Sequence, residues 1–157
     1  MTNVMSNLTT TEEQIQWLTD RAQIHDLVLQ YARTADTKDY QGYANLFTDD
    51  GRILWPHGQI DKKDIARSIA VILGPFERTH HLFANIGIEI EGDVARSNHY
   101  LQAVHVESAE NSGDHADIGG WYNNHYRRTP DGWKIVSVEL NFIWSGGSEF
   151  NPGNPAQ

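Results

Sequence analysis

Residues 80–106, HHLFANIGIEIEGDVARSNHYLQAVHV, decide the fold class, because two runs of alternating apolar residues flank a short polar turn. Alternation with a period of two is typical of strands whose two faces meet different surroundings. The first run covers residues 82–90, the turn is 91–93 (EGD), and the second run covers 94–106. The segment predicts two long antiparallel strands joined by a tight turn.

The same pattern continues toward the end of the chain. Two more long strands are predicted at 116–128 and 133–144, set apart by the polar loop 108–115 (SAENSGDH) and the hairpin turn 129–132 (TPDG). Strands that follow one another through short turns form an antiparallel sheet. The ending 146–157, GGSEFNPGNPAQ, is rich in Gly, Pro and Asn, which predicts a tail that orders only if it lies over another part of the molecule.

The first half of the chain has the periodicity of helices instead. From Thr11 to about Ala35 the apolar residues recur mostly at steps of three and four, and a hydroxyl of Thr9–Thr11 can cap the helix that this spacing predicts. Asp39 has the position of a cap for a short second helix, whose apolar face includes Phe47.

A third helix is predicted to begin at Asp61 and to stop near Gly74. The segments between the second and third helices are predicted as a turn, a short strand and a loop: 48–51 (TDDG), 52–55 and 56–59 (PHGQ). Three helices before a strongly curved, mostly antiparallel sheet predict an α+β fold, a cone-shaped barrel with the helices packed on one sheet face around a cavity. A chain of 157 residues supports one such core, so we assign residues 1–145 to a single domain and 146–157 to the tail.

Composition excludes several classes of function. With 21 acidic and 12 basic residues, a formal charge of −9 and no basic cluster, the chain lacks the attraction that drives nucleic-acid binding. No apolar run reaches the roughly 18 to 20 residues of a membrane span, and the polar start lacks the layout of a signal peptide, so we expect no membrane association and a cytoplasmic location. Zero cysteines exclude disulfides, thiolate metal sites and cysteine nucleophiles.

One carboxylate stands out by its position. Asp36 lies four residues after Ala32 and eight after Val28, on the apolar helix face if the helix persists. Burial disfavours the charged form, so a carboxylate in that place gains proton affinity and suits a base. The alternative is structural, with Asp36 ending the helix in ADTKD (35–39) and bonding to turn amides. The sequence leaves both interpretations open.

Two adjacent histidines open the first long strand, and their rings must point to opposite faces of the sheet. Strict alternation places His80 with the aliphatic residues of 82–90 and His81 with Phe83 and Asn85, although a bulge would reverse this. Alternation alone does not decide which histidine faces the helices.

Metal binding and nucleophilic catalysis lack supporting motifs. The chain has no helical HExxH, and His99 and His105, which share a strand face, are separated by about 20 Å of strand. The Gly-Gly-Ser at 146–148 is not the strand-to-helix elbow GxSxG. We therefore expect no metal and no cofactor. The histidines that we considered as metal ligands were His57, His80, His81, His99, His105, His115 and His125.

Aromatic residues lie along most elements that would converge on the cavity, and a subset of them would suit a planar or cyclic apolar substrate. Tyrosine hydroxyls among them could polarise a carbonyl or a leaving group. The residues that we assign to substrate contact are Tyr31, Trp55, Tyr100, Tyr122, Phe142 and Trp144.

Three segments in order, 21–51 (RAQIHDLVLQYARTADTKDYQGYANLFTDDG), 79–95 (THHLFANIGIEIEGDVA) and 122–135 (YNNHYRRTPDGWKI), resemble the SnoaL-like branch of the nuclear transport factor 2-like superfamily. Within it the chain is most similar to the scytalone dehydratase and hexachlorocyclohexane dehydrochlorinase group. The resemblance implies a cone of three helices on a curved sheet, and association as dimers or trimers through the outer sheet face.

In that group an aspartate after the first helix and a histidine on the first long strand form the catalytic dyad. Asp36 matches the aspartate, and His81 matches the histidine because Asn85 follows it at the group's spacing of four. The resemblance thus implies His81 rather than His80. The chain departs from the group at Ala35 and Trp55, where tyrosines are expected, and at Val138, where a polar residue is expected.

We therefore predict a cofactor-independent lyase, dehydratase or isomerase that acts on a small, largely apolar cyclic or aromatic substrate, with His81 moving a proton and Asp36 orienting it. The alternative is a non-catalytic small-molecule-binding protein or structural subunit with the same fold. In that case Asp36 and His81 would lie too far apart to bond, or side chains would fill the cavity.

Overall fold

The computed structural model describes residues 8–55, 58–150 and 152. Within them, three α-helices precede most of a six-stranded sheet. The helices are α1 (Thr11–Asp36), α2 (Tyr40–Asn45) and α3 (Lys62–Leu73). The strands are β1 (Phe47–Trp55), β2 (Gly58–Asp61), β3 (Arg78–Glu91), β4 (Val94–Val106), β5 (His115–Thr129) and β6 (Gly132–Gly147), and a short 3-10 turn covers Ala109–Asn111.

The sheet has the strand order β2-β1-β6-β5-β4-β3. Every neighbouring pair is antiparallel except β1 and β6, which are parallel. The helices pack on one face of this curved sheet, and the core lies between the two layers. The predicted α+β cone fold is confirmed. No helix in the described part of the chain is both long and apolar enough to cross a membrane.

Helix α1 begins with a capping box. The Thr10 hydroxyl accepts a hydrogen bond from the Glu13 backbone N–H, and the Glu13 carboxylate accepts one from the Thr10 backbone N–H. Its second half carries the buried face, which includes Val28 and Tyr31. The first half is more exposed, and Ile15 on it is 58% exposed. Helix α1 therefore anchors to the core mainly through the half that ends at the candidate site.

A buried carboxylate fixes α1 against the last hairpin. Asp20 accepts hydrogen bonds from Arg128 Nη1 at 2.6 Å, Arg128 Nη2 at 2.8 Å and Trp133 Nε1 at 2.9 Å. The Arg128 guanidinium lies 4.6 Å from the Trp133 ring centre. The hydrogen bonds from Arg128 have the largest effect on the pKa of Asp20, and together with the bond from Trp133 they hold it below its usual value although burial raises it.

The structure corrects three local expectations before the first long strand. The predicted turn 48–51 belongs to β1, where a register shift between Phe47 and Arg52 accommodates it beside β6. Phe47 starts this strand instead of extending the face of α2. In the predicted loop 56–59, residues 58 and 59 pair with β1 as part of β2, whereas 56 and 57 lie outside the described residues. In each case sheet pairing overrides the local preference for a turn, a loop or a helix.

The end of the sheet also differs from the expectation. Strand β6 continues to Gly147, so the sheet includes the first residues of the predicted tail. Gly147 has φ 71°, and a Cβ there would lie 2.1 Å from the His115 carbonyl oxygen. Only glycine fits this turn. The described part of the tail then runs back over the molecule, where Phe150 packs against the core.

Candidate active site

The side chain of Asp36, the last residue of α1, lies against the start of β3. Its Oδ1 is 2.6 Å from His81 Nδ1 and accepts a hydrogen bond from the Thr79 hydroxyl at 2.8 Å. Its Oδ2 accepts from the His81 backbone N–H at 3.0 Å. The structure thus brings together the two residues of the predicted dyad, and it does so through β3 rather than through the turn amides of the structural alternative.

A bulge in β3 decides which histidine faces inward. The register against β4 shifts between Ala84 and Gly87, and Asn85 within it has φ 55°, a left-handed conformation that Asn tolerates. Before the bulge the odd-numbered residues face the helices, and after it the even-numbered ones do. His81 and the buried Ile88 therefore share the inner face although strict alternation separates them.

Asp36 is an ionised hydrogen-bond acceptor in this setting. Burial acts to raise its pKa, but the hydrogen bonds from His81 and Thr79 outweigh burial, and the pKa lies below the ordinary value. This corrects the expectation that desolvation would make Asp36 itself more basic. Since a carboxylate can only accept, His81 must carry its proton on Nδ1, which leaves Nε2 as the basic nitrogen.

The site lies on the wall of a cavity between the helices and the sheet. The cavity has a volume of about 60 Å³, and most of its lining is aliphatic or aromatic. The exposed fraction of the His81 side chain is 11% and that of Asp36 is 23%. The polar side chains that line it are His81, His105, Tyr31, Tyr43, Tyr122 and Trp55.

Four of the six aromatic residues assigned to substrate contact line this cavity: Tyr31, Trp55, Tyr122 and Phe142. The assignments of Tyr100 and Trp144 are corrected. Tyr100 points outward on β4, where alternation buries its neighbour Leu101 instead, and Tyr100 is 51% exposed. Trp144 covers Gly119, where a Cβ would lie 2.1 Å from the indole ring. Tyr100 and Trp144 line a separate depression together with Leu82, Trp121 and Ile143.

Two histidines on β4 enter the interior without having been singled out for the site. His105 is buried with its ring centre 5.5 Å from that of His81, and burial, with His81 adding to it, lowers the pKa of His105 to about 4. Burial likewise lowers the pKa of His99 to about 4. The signal was present in the sequence, because both histidines share the strand face of Leu101 and Ala103.

Three tyrosines meet on the cavity wall. The ring centre of Tyr31 lies 4.5 Å from that of Tyr43 and 5.7 Å from that of Tyr122. Burial raises the pKa of all three above the ordinary value, and for Tyr31 the two neighbours add to the effect. Their hydroxyls are therefore protonated, and able to donate, at neutral pH.

Metal coordination has little geometric support. Among the described residues, no group of three or more His, Cys, Asp or Glu side chains converges as a metal site would require. The Asp36 carboxylate is already engaged by His81 and Thr79. His57, one of the histidines considered, lies outside the described residues.

The profile of the SnoaL-like domain matches residues 16–139, a span that contains Asp36 and His81. The chain belongs to the SnoaL-like domain family. The resemblance to the SnoaL-like branch is thereby confirmed. The matched span of this SnoaL-like protein begins within α1, includes α2 and α3, and continues into β6.

Relatives of this SnoaL-like protein include proteins with and without an assigned activity. The uncharacterized protein Rv2910c of Mycobacterium tuberculosis is 28% identical over 125 residues, which are 76% of this chain and 82% of the relative. A scytalone dehydratase-like protein from Novosphingobium aromaticivorans superposes with a TM-score of 0.76 at 20% identity, over 88% of this chain and 93% of that one. A hexachlorocyclohexane dehydrochlorinase (LinA, type 2) superposes with a TM-score of 0.75 at 19% identity, over 87% and 93%. These two likenesses show a shared fold.

Proposed function

We propose that this SnoaL-like protein is a cofactor-independent lyase, dehydratase or isomerase that acts on a small, largely apolar cyclic or aromatic substrate. The observation that carries the proposal is the 2.6 Å contact between Asp36 Oδ1 and His81 Nδ1 at the wall of a mostly apolar cavity. An oriented imidazole beside an ionised carboxylate is a general base, and an apolar wall strengthens its electrostatic interactions.

The chemistry begins at His81 Nε2, which takes a proton from a carbon next to a carbonyl or a leaving group. In an elimination the C–H electron pair forms a double bond, and the leaving group departs with its own electron pair. The imidazolium then returns the proton to the leaving group. In an isomerisation it returns the proton to another carbon. Asp36 stabilises the imidazolium without taking its proton, because its carboxyl pKa is low.

The tyrosine cluster supplies the second half of the site. Charge that develops on a carbonyl or leaving-group oxygen needs donors that are already in place. Tyr31, Tyr43 and Tyr122 carry protonated hydroxyls on the wall of the same cavity as His81. One of these hydroxyls can therefore receive the developing charge without reorganisation of solvent.

The structural neighbours support elimination over the other reactions. Their names denote enzymes that remove water or hydrogen chloride. Their substrates are not carried over, because Ala35 and Trp55 stand where the dehydratase pattern has tyrosines and Val138 is apolar and buried. What the proposal retains is proton transfer by Asp36 and His81.

The test is incorporation of solvent deuterium into a panel of cyclic ketones, phenols and alcohols, followed by mass spectrometry. The wild-type protein should label at least one compound class. Asp36→Asn and His81→Gln should each reduce the rate by about a hundredfold to ten-thousandfold. His80→Gln is the matched control, since His80 is exposed on the other face of the same strand, and it should label at the wild-type rate. Full labelling by both dyad variants would overturn the proposal.

One observation favours the non-catalytic alternative. The cavity volume of about 60 Å³ is below the roughly 150 Å³ that holds a benzene molecule, so side chains fill most of the interior. A binding protein or structural subunit would give no deuterium labelling with any compound. Its affinity for small apolar ligands, measured by calorimetry, would be the same in the wild-type protein and in His81→Gln.

A further inference from the structure

Phe150 lines the cavity with its ring. The ring stacks on Phe76, with centres 5.4 Å apart and planes 6° from parallel, and meets the His105 ring at 4.7 Å and 61°. Phe76 is 0% exposed and His105 is 1% exposed, whereas Phe150 is only partly buried. The Phe76 and His105 rings also touch each other, with centres 4.9 Å apart, so Phe150 occupies a corner-shaped slot whose two adjoining walls belong to the core.

The backbone that brings Phe150 to this slot is held at one point. After the turn at Gly147, the Ser148 N–H donates to the His115 carbonyl at 2.9 Å, and the Ser148 hydroxyl donates to Asp114. In the described part of the chain the hydrogen bonds of this segment end at Ser148, and aromatic contacts hold Phe150. A stacked aromatic pair contributes modestly, so the ring can leave without disturbing the sheet.

The slot adjoins the candidate dyad. His105 forms one wall of the slot, and its ring centre is 5.5 Å from that of His81. The cavity of about 60 Å³ that remains beside Phe150 is too small for a six-membered ring, which needs roughly 150 Å³. The side chain of Phe150 is itself a benzene ring, so its departure would open space for one ring next to His81.

We propose that Phe76 and His105 form a binding site for one flat aromatic or conjugated ring, and that Phe150 fills this site until such a ligand displaces it. The substrate class is thereby narrowed to compounds with a planar ring. The inference rests on the proposed function only in taking that ring to be part of the substrate. The neutral imidazole of His105, whose pKa burial lowers, suits a wall for an uncharged ring.

Calorimetric titration with 2-naphthol and with its saturated analogue, decahydro-2-naphthol, tests the site. Phe150→Ala should bind 2-naphthol roughly twofold to tenfold more tightly than the wild-type protein, because the ligand no longer competes with the internal stack. Phe150→Tyr keeps the ring and should bind like the wild type. Phe142→Ala, which trims the same cavity without freeing the slot, should bind more weakly. Weaker binding by Phe150→Ala, or equal binding of the saturated analogue, would overturn the proposal.

Displacement can be seen directly by ¹⁹F NMR of protein labelled with 4-fluorophenylalanine. The chain has five phenylalanines, and the Phe150→Tyr variant identifies the Phe150 resonance by its disappearance. Saturating 2-naphthol should move that resonance to the position of a solvent-exposed ring and shift the Phe76 resonance by the current of the new ring. A Phe150 resonance that stays in place while 2-naphthol binds would contradict the inference.

The same titrations separate this inference from the proposed reaction. In His81→Gln the effect of Phe150→Ala on 2-naphthol affinity should persist, since stacking needs no proton transfer. If the wild-type protein labels no compound while Phe150→Ala still binds 2-naphthol more tightly, the inference stands and the proposed reaction is refuted. If the wild-type protein shows exchange activity but Phe150→Ala does not change the affinity for 2-naphthol, the proposed reaction stands and the inference is refuted.

Discussion

Asp36 shows how a carboxylate that is poorly placed in the sequence becomes useful in the fold. It ends a helix on its apolar face, where burial alone would favour the neutral acid. Three hydrogen bonds from Thr79 and His81 reverse that preference, and the same bonds fix the imidazole. Asp36 is therefore suited to orienting a base rather than to being one.

Thr79→Val should raise the pKa of Asp36, because the substitution removes one of the three donors and keeps the side-chain volume. A depressed carboxyl pKa stabilises the fold above the unfolded-state value, 3.8, and this stabilisation is lost as the pH falls through the folded-state value. In Thr79→Val this stabilisation should be smaller, and its loss should be complete at a higher pH. The measurement is a ¹³C NMR titration of the Asp36 carboxyl carbon.

Thr79→Ser, which keeps the hydroxyl, is the control and should titrate like the wild type. At neutral pH the valine variant should also lose roughly 1.5 to 3 kcal/mol of unfolding free energy, the usual contribution of a hydrogen bond to a charged group. An unchanged Asp36 titration in Thr79→Val would show that the hydroxyl contributes nothing to the carboxylate.

Individual side chains were predictable from sequence to different degrees, for physical reasons. Family resemblance paired Asp36 with His81, which helix and strand periods could not do. Tyr100 was wrongly assigned to the cavity because it was chosen for its aromatic ring and not for the face of β4 on which it lies. The apolar neighbour Leu101 already indicated that the odd-numbered residues face inward. Phe150 was beyond prediction, since its place depends on where a Gly-rich tail turns.

Among the elements, β3 carries the feature that matters most for the site. Without the bulge at Asn85, the strand could not present both His81 and Ile88 to the helices. The alternating pattern predicted the strand but not the bulge. A sequence in which the inner face changes from odd-numbered to even-numbered residues can equally be interpreted as an unbulged strand with apolar residues on both faces. The strand at 94–106 was predicted with its observed bounds. The strand predicted at 52–55 was shorter than the observed β1, because the sequence TDDG at 48–51 is typical of a turn.

Helix α1 is joined to the β5–β6 hairpin through Asp20, and Asp20→Ala should test that connection. The change leaves Arg128 Nη1, Arg128 Nη2 and the Trp133 N–H without their acceptor, whereas Arg128 Nε keeps its bond to Asp93. Because Arg128 retains partial contact with solvent, we expect a loss of about 2 to 3 kcal/mol in urea unfolding at pH 7. The control is Asp50→Ala, whose pair with Arg127 is exposed and should contribute roughly 0 to 1 kcal/mol.

The pH dependence of this difference follows from the lowered pKa of Asp20. Its contribution is present above the unfolded-state value, 3.8, and disappears as the pH falls through the folded-state value. The gap in stability between the wild-type protein and Asp20→Ala should therefore narrow in strongly acidic buffer. A gap of the same size at all pH values would mean that packing, and not the carboxylate charge, holds the helix.

At the level of the whole molecule, the two faces of the sheet have different tasks. The side chains of the inner face line the cavity. The outer face exposes large apolar side chains, and an exposed apolar patch is typical of an interaction surface. Leu82, Tyr100, Ile143 and Trp144 are each 44–59% exposed there, and all four line one depression, Ile143 and Trp144 from β6. We propose that this surface joins copies of the chain into a dimer or trimer, as the family resemblance implies.

Ile143→Glu should separate these copies, because it buries a charge in an apolar contact that offers it no partner. We expect the association to weaken by at least about a hundredfold, so that sedimentation velocity at micromolar concentration detects a 17.8 kDa species in place of an oligomer. Ile15→Glu is a matched control, since Ile15 on α1 is 58% exposed and Ile143 is 59% exposed, but only Ile143 lies on the outer sheet face. A wild-type protein that sediments as a monomer would contradict the assignment of this surface. Disruption by Ile15→Glu alone would move the interface from the sheet to the first helix.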